Sequence, residues 1–223
     1  MITGTSRGIG RATALCLARR GARLALIARE SAEQRESERL LGEAGANFTS
    51  FYSDLGDVQA CLASARQVLE RAGVPDAVIH NAGVIQRASV EATSAEMFDA
   101  QLGVNLRAPF LLTREWLPRM RQAGRGRLVF VGSISSTLGT AGAAAYAASK
   151  WGLVGFVKSL AEELADCGLS AVCVLPGSVD TRMLAGSGFA PRMTPEDVAR
   201  TLAHYALEAP LAHNGAVIEM FGV

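Results

Sequence analysis

Tyr146 and Lys150 stand four residues apart in Ala143-Ala144-Ala145-Tyr146-Ala147-Ala148-Ser149-Lys150. In a helix that spacing puts both side chains on one face. A free phenol titrates near ~10, too high for efficient proton exchange at neutral pH, and a nearby ammonium favours the phenolate. The pair is a candidate proton donor and acceptor, although a Tyr and a Lys at this spacing also make an ordinary surface pair. Ser133 sharpens the reading. It follows the apolar run Leu128-Val129-Phe130-Val131 and Gly132, at the carboxyl end of an expected strand, where open α/β sheets bind ligands. A hydroxyl there would hold a carbonyl oxygen beside Tyr146, with Ser135 close by.

A second group of residues suits a dinucleotide. Gly4-Thr5-Ser6-Arg7-Gly8-Ile9-Gly10 lies between a short strand and a helix. Glycine lets the backbone approach a pyrophosphate, and the helix N-terminus offers free N–H groups to it. Residues 4, 6, 7, 8, 9 and 10 are therefore expected around the phosphates. About 20 residues on, an acid would bond the ribose hydroxyls of NAD. Ala28 occupies that place and Arg29 follows it. Arg7 and Arg29 together suit a 2′-phosphate, the alternative being two solvated arginines. Glu30 is a neighbouring acid, so NADP(H) is favoured and NAD(H) disfavoured.

These residues need a scaffold. Short apolar runs at 24–27, 77–79, 128–131 and 171–175 read as strands buried on both faces. Stretches at 8–20, 31–45, 56–72, 95–123 and 145–167 read as helices, Gly21 closes the first, and Thr194 or Pro195 starts a later one. The alternation predicts one α/β domain over 1–223, a Rossmann-type doubly wound parallel sheet of about seven strands with helices on both faces. Residues 185–195 read as a mobile loop. Only Met1 and Ile2 precede Thr3-Gly4, which predicts either a very short first strand or a missing natural leader.

Composition narrows the partners. The formal net charge is +1 over 223 residues, and the Lys and Arg are dispersed, so neither nucleic acid nor an anionic membrane is an expected partner. No apolar run reaches the ~18 residues of a membrane span, and no targeting segment is visible. Cys16, Cys61, Cys167 and Cys173 form no metal or redox spacing, so they read as ordinary thiols in a reducing cytoplasm. No metal site is expected. His80 reads as a packed strand-end residue. Phe110, Leu112 and Trp116 read as core or subunit interface, and so do Trp151 and Phe156.

With these motifs in order, the chain resembles the short-chain dehydrogenase/reductase family. It is similar to the bacterial β-ketoacyl-carrier-protein reductase-like branch. Thr3 to Gly10 match the family's TGxxxGxG turn, Asn81-Ala82-Gly83 its NAG motif, and Tyr146 and Lys150 its YxxxK pair. Asn105 and Ser133 match its catalytic Asn and Ser. Pro176-Gly177, with Val179 and Thr181, match its PG motif. The resemblance implies reversible carbonyl reduction of a small molecule, with Asn105, Ser133, Tyr146 and Lys150 catalytic. Tyr146 would carry the proton, Lys150 would lower its pKa and bond the nicotinamide ribose, and Asn105 would hold a water behind Lys150. Ser133, Ser135 and Tyr146 would meet the substrate.

Cofactor contacts are implied at Gly4, Ser6, Arg7, Gly8, Ile9, Gly10, Arg29, Asp54, Leu55, Asn81, Ala82, Gly83, Asn105, Tyr146, Lys150, Pro176, Gly177, Val179 and Thr181. Asn81 would be partly structural. A homodimer or homotetramer is implied as well. The substrate loop near 182–194 is short for the family, which predicts an open pocket, and the chain lacks the family's frequent DGG ending. Ile85, Gln86, Ser135, Leu138 and that loop are expected to line the pocket, whose small and apolar residues point to a neutral carbonyl compound. Two other readings compete: alcohol oxidation or epimerisation on the same fold, and a non-catalytic NADP(H)-binding regulator. The intact set of four polar residues speaks against the second.

Overall fold

A computed structural model describes residues 1–222 of the chain. Seven parallel strands form one sheet: β1 (Ile2–Thr3), β2 (Leu24–Ala28), β3 (Phe48–Tyr52), β4 (Ala77–His80), β5 (Gly126–Val131), β6 (Leu169–Pro176) and β7 (Val217–Met220). Their order is β3-β2-β1-β4-β5-β6-β7, so the direction of winding reverses between β1 and β4. The first strand is two residues long and central. Ile2 pairs with Leu26 on one side and Ile79 on the other. Strand β3 is absent from the apolar-run reading because Phe-Thr-Ser-Phe-Tyr is an edge strand, which needs no continuous apolar sequence.

The helices are α1 (Gly8–Ala18), α2 (Ala32–Glu43), α3 (Val58–Arg71), α4 (Ala95–Leu102), α5 (Ala108–Ala123), α6 (Ala144–Glu163) and α7 (Pro195–Leu207). Each expected helix is present. The stretch expected as one helix over 95–123 is α4 and α5 joined by a π-helical turn, Gly103–Arg107. Gly21 adopts the left-handed conformation expected after α1, and Thr194 with Asp197 forms a capping box that starts α7.

Alternation along each strand divides the core in two. Ile27, Leu128 and Phe130 face α3, α5 and α6, where Val68, Leu112, Trp116, Leu153 and Leu160 pack. Leu26, Val129 and Val131 face α1 and α7, where Leu17, Val198 and Leu202 pack. Buried side chains of this size contribute roughly 1.5–3 kcal/mol each. Trp116 belongs wholly to the core: it is fully buried and its indole N–H donates to Ala65 O at 3.0 Å. His80 is packed, as expected, stacked on Phe130 with ring centres 4.6 Å apart and bonded to Thr113 at 3.1 Å. Burial pushes its pKa down to about 3, so it is neutral.

Candidate active site

The reversal between β1 and β4 opens a cleft at the carboxyl ends of the strands. Helix α1 starts at its edge. Side chains cap α2, α3, α4 and α7 (Ser31, Asp57, Ser94 and Thr194), but α1 begins at Arg7 with no side-chain cap and no acid in its first turn. The free N–H groups of that turn face the cleft, which fits an anion.

The glycines owe their identity first to protein packing. A Cβ on Gly10 would lie 2.1 Å from Gly4 O and 2.5 Å from Asn81 Nδ2, and one on Gly4 2.7 Å from Ala82 Cα. Asn81 is structural as well: its amide donates to Thr3 O and Gly4 O, both at 3.0 Å, while Thr3 Oγ1 accepts from Asn81 N and Ala82 N. The turn and the Asn81-Ala82-Gly83 segment thus hold each other.

At the outer end of the cleft Ala28 closes β2, and Arg29 is exposed with no ion pair among the described residues. Arg7 is paired with Glu33 at 3.4 Å, and the same carboxylate oxygen meets Arg182 at 3.3 Å. Glu33 therefore links the phosphate turn to the substrate loop. Glu30 is taken up by Arg35 at 2.5 Å, which leaves Arg29 free of its neighbour.

Ser133, Tyr146 and Lys150 converge at the end of β5. Ser133 Oγ accepts from Ser135 N at 3.1 Å. Tyr146 is only 6% exposed, and its hydroxyl donates to Met183 Sδ at 4.0 Å. Lys150 Nζ donates to Val131 O at 2.7 Å and lies 5.8 Å from the centre of the Tyr146 ring. Burial pushes Lys150 down to about 8. Burial also raises the Tyr146 phenol above its ordinary value, while the Ser133 hydroxyl and the Arg87 charge act against that rise. Desolvation is the largest influence on the phenol, and the Lys150 ammonium is aimed at the Val131 carbonyl.

Asn105 is 1% exposed, behind the cleft wall. It sits in the π-helical turn, a distortion common at functional sites. Its Oδ1 accepts from Val84 N at 2.8 Å, and its Nδ2 donates to Val84 O and Ser149 Oγ, both at 2.9 Å. Ser149 in turn donates to Tyr146 O at 2.7 Å. A Cβ on Gly83 would lie 3.4 Å from Asn105 Oδ1 and 3.7 Å from Lys150 Nζ. Asn105 therefore positions the groups around Lys150 through the backbone and Ser149.

All the other residues expected to hold cofactor or substrate, from Gly4 to Thr181, line this one cleft. Ile85, Ser135 and Leu138 line it too. Gln86 does not, and Arg87 stands there instead. The substrate loop is short, yet it covers Tyr146, because the bridge between Val179 and Met193 closes its base and Met183 reaches the phenol. Sequence reading passed over Glu33, Arg87, Gln101, Ser149 and Met183. Only Gln101 carried a signal, standing four residues before Asn105.

The family profile described as short chain dehydrogenase matches residues 1–189. The 3-oxoacyl-acyl-carrier-protein reductase FabG of Vibrio cholerae is 33% identical over 183 residues, 82% of this chain and 74% of the relative. The crystal structure of levodione reductase superposes with a TM-score of 0.92 at 27% identity, over 99% of this chain and 95% of the other. A putative NAD(P)-dependent gluconate 5-dehydrogenase from Beutenbergia cavernae, with NADP bound at low occupancy, gives a TM-score of 0.90 at 30% identity, over 98% and 93%. The chain belongs to the short-chain dehydrogenase family, oxidoreductases that act on CH–OH and carbonyl groups with NAD(P). No helix among the described residues is long and apolar enough to cross a membrane.

Proposed function

We propose that this protein is an NADP(H)-dependent oxidoreductase that reversibly reduces a ketone, aldehyde or 3-oxoacyl thioester to an alcohol. The observation that carries this reading is the convergence of Ser133, Tyr146 and Lys150 in the cleft that the uncapped N-terminus of α1 opens onto. When bound, the dinucleotide supplies the hydride in reduction and takes it up in oxidation. The first turn of α1 and residues 4–10 would hold its phosphates, Asp54 and Leu55 would meet the adenine, and Gly83, Pro176, Gly177, Val179 and Thr181 would meet the nicotinamide end.

The chain's own residues manage the proton. The Ser133 hydroxyl orients the substrate oxygen and stabilises the charge that develops on it. Tyr146 Oη delivers a proton to that oxygen, or removes one in the oxidative direction. The Lys150 ammonium stabilises the resulting phenolate, and Asn105 with Ser149 holds the Lys150 and Tyr146 backbone in register. Met183 and the substrate loop exclude water from the phenol.

NADP(H) is supported by Ala28 in place of the ribose-binding acid, by the unpaired Arg29 beside it, and by the NADP bound to the gluconate-dehydrogenase-like neighbour. Phe110 and Trp151 expose large apolar rings on α5 and α6, which suits a homodimer or homotetramer built on those helices. Four unpaired cysteines suit the reducing cytoplasm. The deciding experiment is Tyr146→Phe. It should lower turnover by about 10²-fold or more while NADPH binding, followed by fluorescence, persists. Activity retained by that variant would overturn the assignment.

A further inference from the structure

Arg87 is a cation of the cleft whose guanidinium the rest of the molecule satisfies only in small part. Most arginines of the chain meet a carboxylate or a backbone carbonyl, as Arg7 meets Glu33 and Arg11 meets Ser6 O. Among the described residues Arg87 has one bond, a long one from Nη2 to Met183 O at 3.4 Å, and no carboxylate partner. Its Nε is closed to solvent and has no acceptor. Among the described side chains it is the only cationic nitrogen in that condition, since His80 is neutral and Lys150 bonds Val131 O. A guanidinium N–H shut away from water without an acceptor is costly. A ligand that brings an acceptor removes the cost.

The surroundings make Arg87 a built element of the site. The segment that carries it is pinned on both sides. Val84 N donates to Asn105 Oδ1 at 2.8 Å, Gln86 N to buried Gln101 Oε1 at 3.1 Å, and Ala88 N to Gly142 O at 3.0 Å. Arg87 and the reacting phenol share a neighbour: Arg87 meets the main chain of Met183 and Tyr146 meets its sulfur. The Arg87 charge is also felt at Tyr146, where it favours the phenolate. A planar guanidinium with two parallel N–H groups matches a carboxylate better than any neutral oxygen.

We propose that Arg87 is a specificity-determining residue that binds a carboxylate on the substrate, so that the protein acts on oxo acids and hydroxy acids whose acid group lies within a few bonds of the reacting carbon. This replaces the neutral carbonyl compound that the small and apolar lining suggested. It rests on Tyr146 being the proton carrier of an NADPH-linked reduction. Met183 lies between phenol and guanidinium, and its unbranched side chain can yield to a substrate that spans the two.

The test uses matched pairs of probes that differ only in charge: pyruvate, acetoacetate and 4-oxopentanoate, each beside its ethyl ester. NADPH oxidation is followed for the wild type, Arg87→Gln and Arg87→Lys. In parallel, binding of the three acids to the NADPH-loaded proteins is measured by calorimetry. At least one acid should be preferred to its ester, and Arg87→Gln should lower kcat/KM for that acid roughly 10- to 100-fold. The ester should change by less than about threefold, and Arg87→Lys should recover part of the loss. Unchanged NADPH affinity of Arg87→Gln shows that the fold is intact. If all three acids neither bind nor react, or if acid and ester lose equally in Arg87→Gln, the proposal is overturned. If the acids bind the wild type and not Arg87→Gln yet no probe is reduced, the anion site stands and the assigned reaction fails.

Discussion

Gln101 and Asn105 hold the same stretch of chain, one turn apart. Gln101 Oε1 accepts from Gln86 N and Asn105 Oδ1 accepts from Val84 N. Both side chains are buried, and both reach across from the α4–α5 helix to the segment that lines the substrate pocket. The π-helical turn Gly103–Arg107 carries Asn105 and begins two residues after Gln101. Asn105 thus has a partner in Gln101 that serves the neighbouring part of the same wall.

Gln101→Leu keeps the size and removes the acceptor. A partly buried Gln86 N–H without its partner costs about 1 kcal/mol, read as a lower urea midpoint. Because the loosened segment carries the pocket wall, KM should rise more than kcat falls. A fall in kcat at constant KM would count against a positioning role.

Gly10→Ala should destabilise the protein even without cofactor. The new Cβ would lie 2.1 Å from Gly4 O, a backbone atom that cannot step aside. The strain is about 2–3 kcal/mol, a fall in Tm of roughly 5–10 °C. Gly42→Ala in α2, where nothing lies near the added carbon, should instead stabilise by about 0.5–1 kcal/mol. Equal responses would show that packing against Gly4 is not what requires glycine at position 10.

His80 makes the fold sensitive to acid. Its folded pKa of about 3 lies below the ordinary 6.5, so its stabilising contribution is fully present above 6.5. As pH falls from 6.5 toward 3 the unfolded chain takes up a proton that the native state refuses, and stability drops by up to about 1.4 kcal/mol per pH unit. His80→Gln keeps a partner for Thr113 and cannot titrate. Its stability should fall less steeply than that of the wild type between pH 6.5 and 4, and parallel slopes would dispose of the assignment.

The outer end of the cleft sets the choice of cofactor. Arg29→Asp with Arg7→Ala should weaken NADPH far more than NADH, whereas equal losses would mean that no 2′-phosphate is read there. Glu33→Gln frees Arg7 from its carboxylate partner, and should tighten NADPH by up to about fivefold. Titration of both dinucleotides into the three proteins checks all of this.

Much of this protein was legible along the chain. The apolar runs around 24–27, 128–131 and 171–175 became β2, β5 and β6 because a strand buried on both faces has no other way to be written. The glycine turn, Ser133 and the Tyr146–Lys150 spacing stand out because each depends on contacts a few residues long, and local geometry follows from local sequence. What lay beyond reach depends on side-chain direction and on contacts between distant segments. The stretch after Asn81-Ala82-Gly83 has no periodicity, so nothing in it says that Arg87 faces the cleft and Gln86 does not. Glu33 meets Arg182 across 149 positions only because the β2–α2 and β6–α7 connections both leave the carboxyl ends of parallel strands. That burial dominates the environment of the Tyr146 phenol likewise depends on distant segments, among them the loop that brings Met183 to its hydroxyl.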